Sequence, residues 1–98
     1  MDERAFNTAR NSLIGHGIEL GESQYHPKSF GSWYITIETN PRRRLVWDGK
    51  EEWCIVQEET SELFNGMSVW KDCWLNKSPN SHAIATAVEI ICELTRRK

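Results

Sequence analysis

Ninety-eight residues, with five Trp, two Tyr and three Phe, fit one domain over residues 1–98 and exclude a solvated disordered chain. No apolar run approaches the ~18 residues of a membrane span. Twelve Lys and Arg against fourteen Asp and Glu give a net charge of −2, which argues against a dedicated nucleic-acid binder.

Residues 2–15 predict a helix, capped by Asp2, with Phe6, Ala9 or Arg10, and Leu13 on one apolar stripe. Gly15 or Gly17 supplies its left-handed stop. Gly17–Leu20 reads as the start of a short strand, and residues 21–31, rich in breakers, as a loop. Ser32–Thr39 alternates cleanly, with Trp33, Ile35 and Ile37 on one side and Tyr34, Thr36 and Glu38 on the other. Asn40-Pro41 turns the chain. Arg43–Trp47 and Glu52–Glu58 then form a hairpin around Asp48-Gly49, a dipeptide suited to a two-residue type I′ turn. Residues 59–66 read as a polar turn region ending at Asn65-Gly66, and Met67–Trp74 as a last strand. A closing helix spans Pro79–Arg97, capped by Ser78, with Ile84, Ala87, Val88, Ile91 and Leu94 at helical spacing. Arg96, Arg97 and Lys98 complement its dipole. The expected fold class is α+β: an antiparallel sheet of 3–5 strands with an N-terminal and a C-terminal helix packed on one face.

Little in the chain points to catalysis. Cys54 and Cys92 sit among apolar neighbours and read as small buried hydrophobes. Cys73 with His82 is the remaining candidate for nucleophile and base, tied only by nearness in sequence. The cysteines stand nineteen residues apart in each case, and His16, His26 and His82 are scattered, so no metal-ligand spacing is present. Neither phosphate-loop pattern occurs. Glu51-Glu52 and Glu58-Glu59 are read as strand neighbours whose side chains part to opposite faces. The expectation is a protein without enzymatic activity, cofactor or metal. Three widely spaced cysteines suit a reducing compartment, and Met1-Asp2-Glu3-Arg4 lacks the apolar core of a secretory leader, so a cytoplasmic location is expected.

Binding is the better-supported reading. Arg42, Arg43 and Arg44 beside Trp33 and Tyr34 suggest a stacking and phosphate-contacting surface for single strands. A charged strand edge that discourages pairing accounts for the same residues. Five indoles exceed what one small sheet face buries, so the second face is expected to display aromatic surface. Aromatic side chains with an acidic rim suit interface hot spots and electrostatic steering. The expected partner contacts are Trp47, Glu51, Glu52, Glu58, Glu59, Glu62, Trp70 and Trp74, and an exposed Trp face equally admits a homodimer.

Gly31-Ser32-Trp33-Tyr34-Ile35-Thr36-Ile37-Glu38-Thr39, followed by Arg44-Leu45-Val46-Trp47-Asp48-Gly49-Lys50-Glu51 and Trp53-Cys54-Ile55-Val56, resembles small bacterial immunity proteins of polymorphic-toxin and contact-dependent inhibition systems, of the TriTu type. The likeness covers roughly residues 13–64. Asp48 and the Trp70–Trp74 segment depart from the pattern. The resemblance implies a cytoplasmic, stoichiometric inhibitor that binds and neutralises a cognate toxin domain. The acidic middle of the chain suits a basic toxin, such as a nuclease.

Overall fold

In the computed structural model, which describes residues 3–77 and 82–96, the elements in chain order are α1 (Glu3–Gly15), β1 (Leu20–His26), β2 (Ser32–Ile37), β3 (Arg43–Asp48), β4 (Trp53–Phe64), β5 (Met67–Asn76) and α2 (Ala83–Arg96). The strands form one antiparallel sheet in the order β1-β2-β3-β4-β5. The α+β class is as expected. The caps assigned to Asp2, Ser78 and Pro79 lie outside the described residues.

Helix α1 buries Phe6, Ala9 and Leu13, so of the two alternatives at the middle of the stripe Ala9 faces inward. Its end is a Schellman motif: Ile18 N–H donates to Leu13 O, Gly17 N–H donates to Ile14 O, and Gly17 takes φ 77°. Glycine adopts that conformation without steric cost, which is why the helix stops there. Ile18 then packs against the core. Helix α2 buries Ala83, Ala87, Val88, Ile91 and Cys92.

Both helices cover one face of the sheet, α1 over β1 and β2 and α2 over β4. The register explains which residues they meet. Trp33 pairs with Trp47 and Trp47 with Cys54, while Ile35 pairs with Leu45 and Leu45 with Val56. Residues directly opposite share a face, so these rows lie under the helices and form the core. Trp33 is 1% exposed and Trp47 4%.

Three sequence expectations are corrected by the strands. Residues 21–26 are not loop but β1, in which one extra residue between Leu20 and Ser23 breaks the alternation; that irregularity concealed the strand. Only residues 27–31 turn. The 59–66 segment is not a turn region either, because β4 continues to Phe64 and pairs Leu63 with Ser68 and Phe64 with Met67. Finally, the two-residue turn falls at Asn65-Gly66, with φ 52° and 77°, the positive pair that a type I′ turn needs. Asp48 instead ends β3 and leads a four-residue connection, accepting from Lys50 N–H and Glu51 N–H on Oδ1, both at 3.1 Å. Glycine is required at position 49 for proximity rather than for φ: a Cβ there would stand 2.0 Å from the Phe30 carbonyl oxygen.

Strand β3 is the middle strand, so the arginine run is not a protective edge. Arg43 turns to the helix side, nearly buried, and Arg42 and Arg44 to the other.

Candidate protein-binding surface

The sheet face away from the helices is built from the alternate residues of every strand. Across it runs an apolar row, Tyr34-Val46-Ile55-Leu75, set by the pairs Tyr34↔Val46, Val46↔Ile55 and Ile55↔Leu75. Trp53 borders it on one side, opposite Asp48, and Trp70 on the other, opposite Glu59. Ile55 is only 8% exposed yet lies apart from the core beneath the helices; the side chains around it close over it.

Each bordering indole already carries a cation. The Arg44 guanidinium lies 4.3 Å from the Trp70 ring centre and that of Arg42 5.9 Å, and Lys77 Nζ stands 5.0 Å from the Trp53 ring. Such contacts use the negative face of the indole quadrupole. Polar bonds fix the rest. Arg44 Nε donates to Gln57 Oε1 at 2.6 Å, and Gln57 Nε2 passes the chain on to Asp72 Oδ1 at 2.8 Å. Arg42 Nη2 bonds Glu59 Oε2, while Tyr34 hydroxyl and Gln24 Nε2 both donate to Glu22 Oε1, at 2.8 and 2.9 Å.

Titration follows these contacts. The Arg42 hydrogen bond holds the Glu59 carboxyl below its ordinary range, and the Glu59 carboxylate raises Arg42 in return. Bonding to Glu22 raises the Tyr34 phenol. Partial burial pulls Arg44 down. On this face the carboxylates of Glu22, Glu38, Asp48, Glu59 and Asp72 outnumber the cations of Arg42, Arg44 and Lys77, so the surface is acidic around an apolar and aromatic centre.

The expected contact residues do not gather here. Trp70 and Glu59 are on the open face. Trp47 is a correction: its indole is enclosed in the core beneath the helices and offers nothing to a partner. Trp74 pairs with Val56 and packs against the same core from β5. Glu58 points to the helix side, within 3.4 Å of Arg43 and 3.6 Å of Lys71; its parting from Glu59 is as the alternation requires. Glu51 and Glu52 are exposed in the β3–β4 connection, not in a strand, and Glu62 is exposed further along β4. The acidic residues of the middle of the chain are therefore dispersed over several surfaces. Tyr34 and Arg44 were expected only in a nucleic-acid surface, and Trp53, Gln57 and Asp72 were not singled out; continuing the period-two pattern of β2 through β3 and β4 would have placed Trp53 and Gln57 on the same face.

A second exposed feature is the end of the β4–β5 hairpin. Leu63, Phe64 and Met67 are 70%, 71% and 72% exposed.

The thiols divide as well. Cys54 is buried beneath the helices, and burial pushes its pKa up to about 11, the opposite of what a nucleophile needs. Cys92 is buried in α2. Cys73 is exposed as the extra residue of a bulge between the Val56↔Trp74 and Gln57↔Asp72 pairs, and its pKa is raised by desolvation and by Glu58. Among the described residues no three His, Cys, Asp or Glu side chains are placed to hold a metal ion, and no helix is long and apolar enough to cross a membrane.

No family model, curated protein or solved structure matches the chain.

Proposed function

We propose that the protein is a non-enzymatic binding module, an immunity protein that sequesters and neutralises a basic toxin domain in the cytoplasm, and that the helix-free sheet face is its contact surface. The single observation that carries this reading is that face itself: an apolar row flanked by Trp53 and Trp70 inside a ring of carboxylates. Aromatic centres with charged rims are where binding energy concentrates, and the rim steers a partner of opposite sign. The likeness of the β2–β4 segment to immunity proteins points the same way.

The reading requires a large secreted protein with a variable C-terminal domain encoded immediately upstream of the gene for this chain, and a neighbourhood without one counts against it. That domain is the partner for the test. Trp53→Ala and Trp70→Ala should each weaken its binding about thirtyfold, the ~2 kcal/mol of a hot spot. Asp72→Lys should slow association and flatten its salt dependence. Glu89→Lys, on the exposed side of α2, should change neither. Unaltered affinity in both tryptophan variants would sink the assignment of this face.

A nucleic-acid reading has one observation in its favour: Arg42 and Arg44 share the face with Tyr34, Trp53 and Trp70. The surplus of carboxylates there opposes it, since phosphate binding draws on net positive charge. Indole quenching by a short single-stranded oligonucleotide at low salt, lost at high salt, would favour this alternative.

A further inference from the structure

The β4–β5 hairpin runs on past the rest of the sheet. The last backbone hydrogen bond between β4 and the β3 side is Glu59 N–H to Arg42 O; beyond the β2–β3 turn that flanks Thr60 and Ser61, β4 pairs with β5 alone among the described strands. A two-stranded ribbon is marginal in water without further cover, and this one ends in Leu63, Phe64 and Met67, all more than two-thirds exposed.

The two edges of the sheet are protected unequally. Strand β1 has an irregularity between Leu20 and Ser23 and is followed at once by Pro27, devices that blunt an edge. Strand β5 has its own extra residue, Cys73, and its charges, Lys71 and Asp72, only in its second half. Met67-Ser68-Val69-Trp70 holds neither charge nor proline, and the extra residues of the second irregularity at its level belong to β4. Val69 O accepts from Thr60 Oγ1, toward β4, so by antiparallel alternation the backbone groups of Ser68 and Trp70 point outward.

We infer that this stretch of β5 pairs antiparallel with the same stretch of a second copy of the chain, about a two-fold axis at Val69. Ser68 of one copy then exchanges backbone hydrogen bonds with Trp70 of the other, and Met67 stands opposite Lys71. Ser68 is small enough to let Leu63 reach the opposing Trp70 indole. Large side chains bury roughly 150–250 Å² each when aromatic and less when aliphatic, so the two tips bring on the order of 800 Å² of exposed side chain. Edge pairing covers only the flanks of Leu63 and Met67 and leaves Phe64 aside, so with the strand edges the contact falls at the weak, concentration-dependent end of specific interfaces. The blocked β1 edge closes the assembly at two copies rather than a fibre. No Lys or Arg lies between Thr60 and Trp70, and Glu62 does, which disfavours an anionic lipid surface as the occupant. The inference is separable from the toxin reading: the two share Trp70, at the border of the open face, but Met67 lies on the opposite side of β5, so its variants test dimerisation alone.

Sedimentation velocity of the full chain, from low micromolar concentration upward, tests it. The wild type should sediment at twice the 11.4 kDa chain mass. Ser68→Pro removes an outward N–H, together with the Ser68 hydroxyl bond to Glu59, and should yield monomer. Should that variant fail to fold, the exposed position 67 supplies a second pair. Met67→Lys, placed against Lys71 of the other copy, should weaken dimerisation at least tenfold, while Met67→Glu should preserve it. A wild type that stays monomeric throughout overturns the inference. So do equal effects of Lys and Glu at position 67, and so does a monomer that co-sediments with phosphatidylcholine/phosphatidylserine vesicles through its hairpin tip.

Discussion

Gly49 is the position at which one added methyl group should do the most damage. Its ideal Cβ would lie 2.0 Å from the Phe30 carbonyl oxygen and 2.8 Å from the Phe30 carbonyl carbon, whereas ordinary contact begins at 3.4 Å. The two backbones would have to separate by about 1.4 Å, and neither atom belongs to a side chain that can swing aside. The same movement strains the bond from Gly49 N–H to Ser32 Oγ, now 2.8 Å. Overpacking costs about 1–3 kcal/mol, and a lost hydrogen bond about 0.5–1.5 kcal/mol more. Gly49→Ala should therefore lose about 2–4 kcal/mol, lowering Tm by roughly 10–25 °C for a domain of this size. Circular dichroism melts and urea titrations measure both. Two other glycines calibrate the result. Gly15 has nothing within 4 Å of its Cβ position and no positive φ, so Gly15→Ala should be neutral. Gly66 has equally open space but φ +77°, so Gly66→Ala should cost only the ~1–2 kcal/mol of a left-handed alanine. Gly49→Ala as stable as Gly15→Ala would refute the close-approach argument.

Three further outcomes follow from the thiols and from Glu59. One thiol per chain, that of Cys73, should react with an aromatic disulfide reagent under native conditions and all three after unfolding, because Cys54 and Cys92 are buried; native reaction of three would contradict the packing. Burial keeps the Cys54 proton in place up to about pH 11 against an ordinary value of 9.0. The folded state thus holds more protons than the unfolded one in that window, and stability should fall as pH rises through it. Glu59 behaves oppositely. Its hydrogen bond from Arg42 lowers its pKa in the folded state, so its contribution is present above the unfolded value and fades as pH falls through the folded one. Carboxyl NMR should show Glu59 titrating below the ordinary glutamate range, and Arg42→Ala should raise it, with the Ser68 bond still holding it partly down.

How far the sequence could be read depended on whether local chemistry or distant packing decided each element. Gly17 ends α1 by its own conformational freedom, and the strict alternation of Trp33 to Ile37 announces a strand with one buried face. Both are properties of neighbouring residues. The hairpin turns show the limit: Asp48-Gly49 and Asn65-Gly66 both satisfy the type I′ pattern, and only the second adopts it. At the first, the Asp48 carboxylate binds two backbone N–H groups of a longer loop, and Phe30 presses on Gly49 from another turn. The continuation of β1 through residues 21–26 did not read as strand because it breaks its own period and its partners arrive from β2. As for the site, a surplus of indoles correctly implied that some would stay at the surface, but which ones depended on register. Trp47 and Trp53, on either side of the same loop, face opposite ways because the four-residue connection 49–52 pairs Trp53 with Asp48 rather than with Trp47 across the β3–β4 ladder.

Strand β4 joins two regions of very different constraint within one continuous stretch of backbone. Cys54 and Val56 are locked among helix side chains, while Leu63 and Phe64 touch almost nothing, and the ladder to β5 slips twice between them. Those slips act as a joint that stops steric demands at one end from reaching the other. Substitutions at the outer end therefore face little selection for foldability, and the hairpin can drift in sequence, and with it the identity of whatever it touches, while the interior stays as it is.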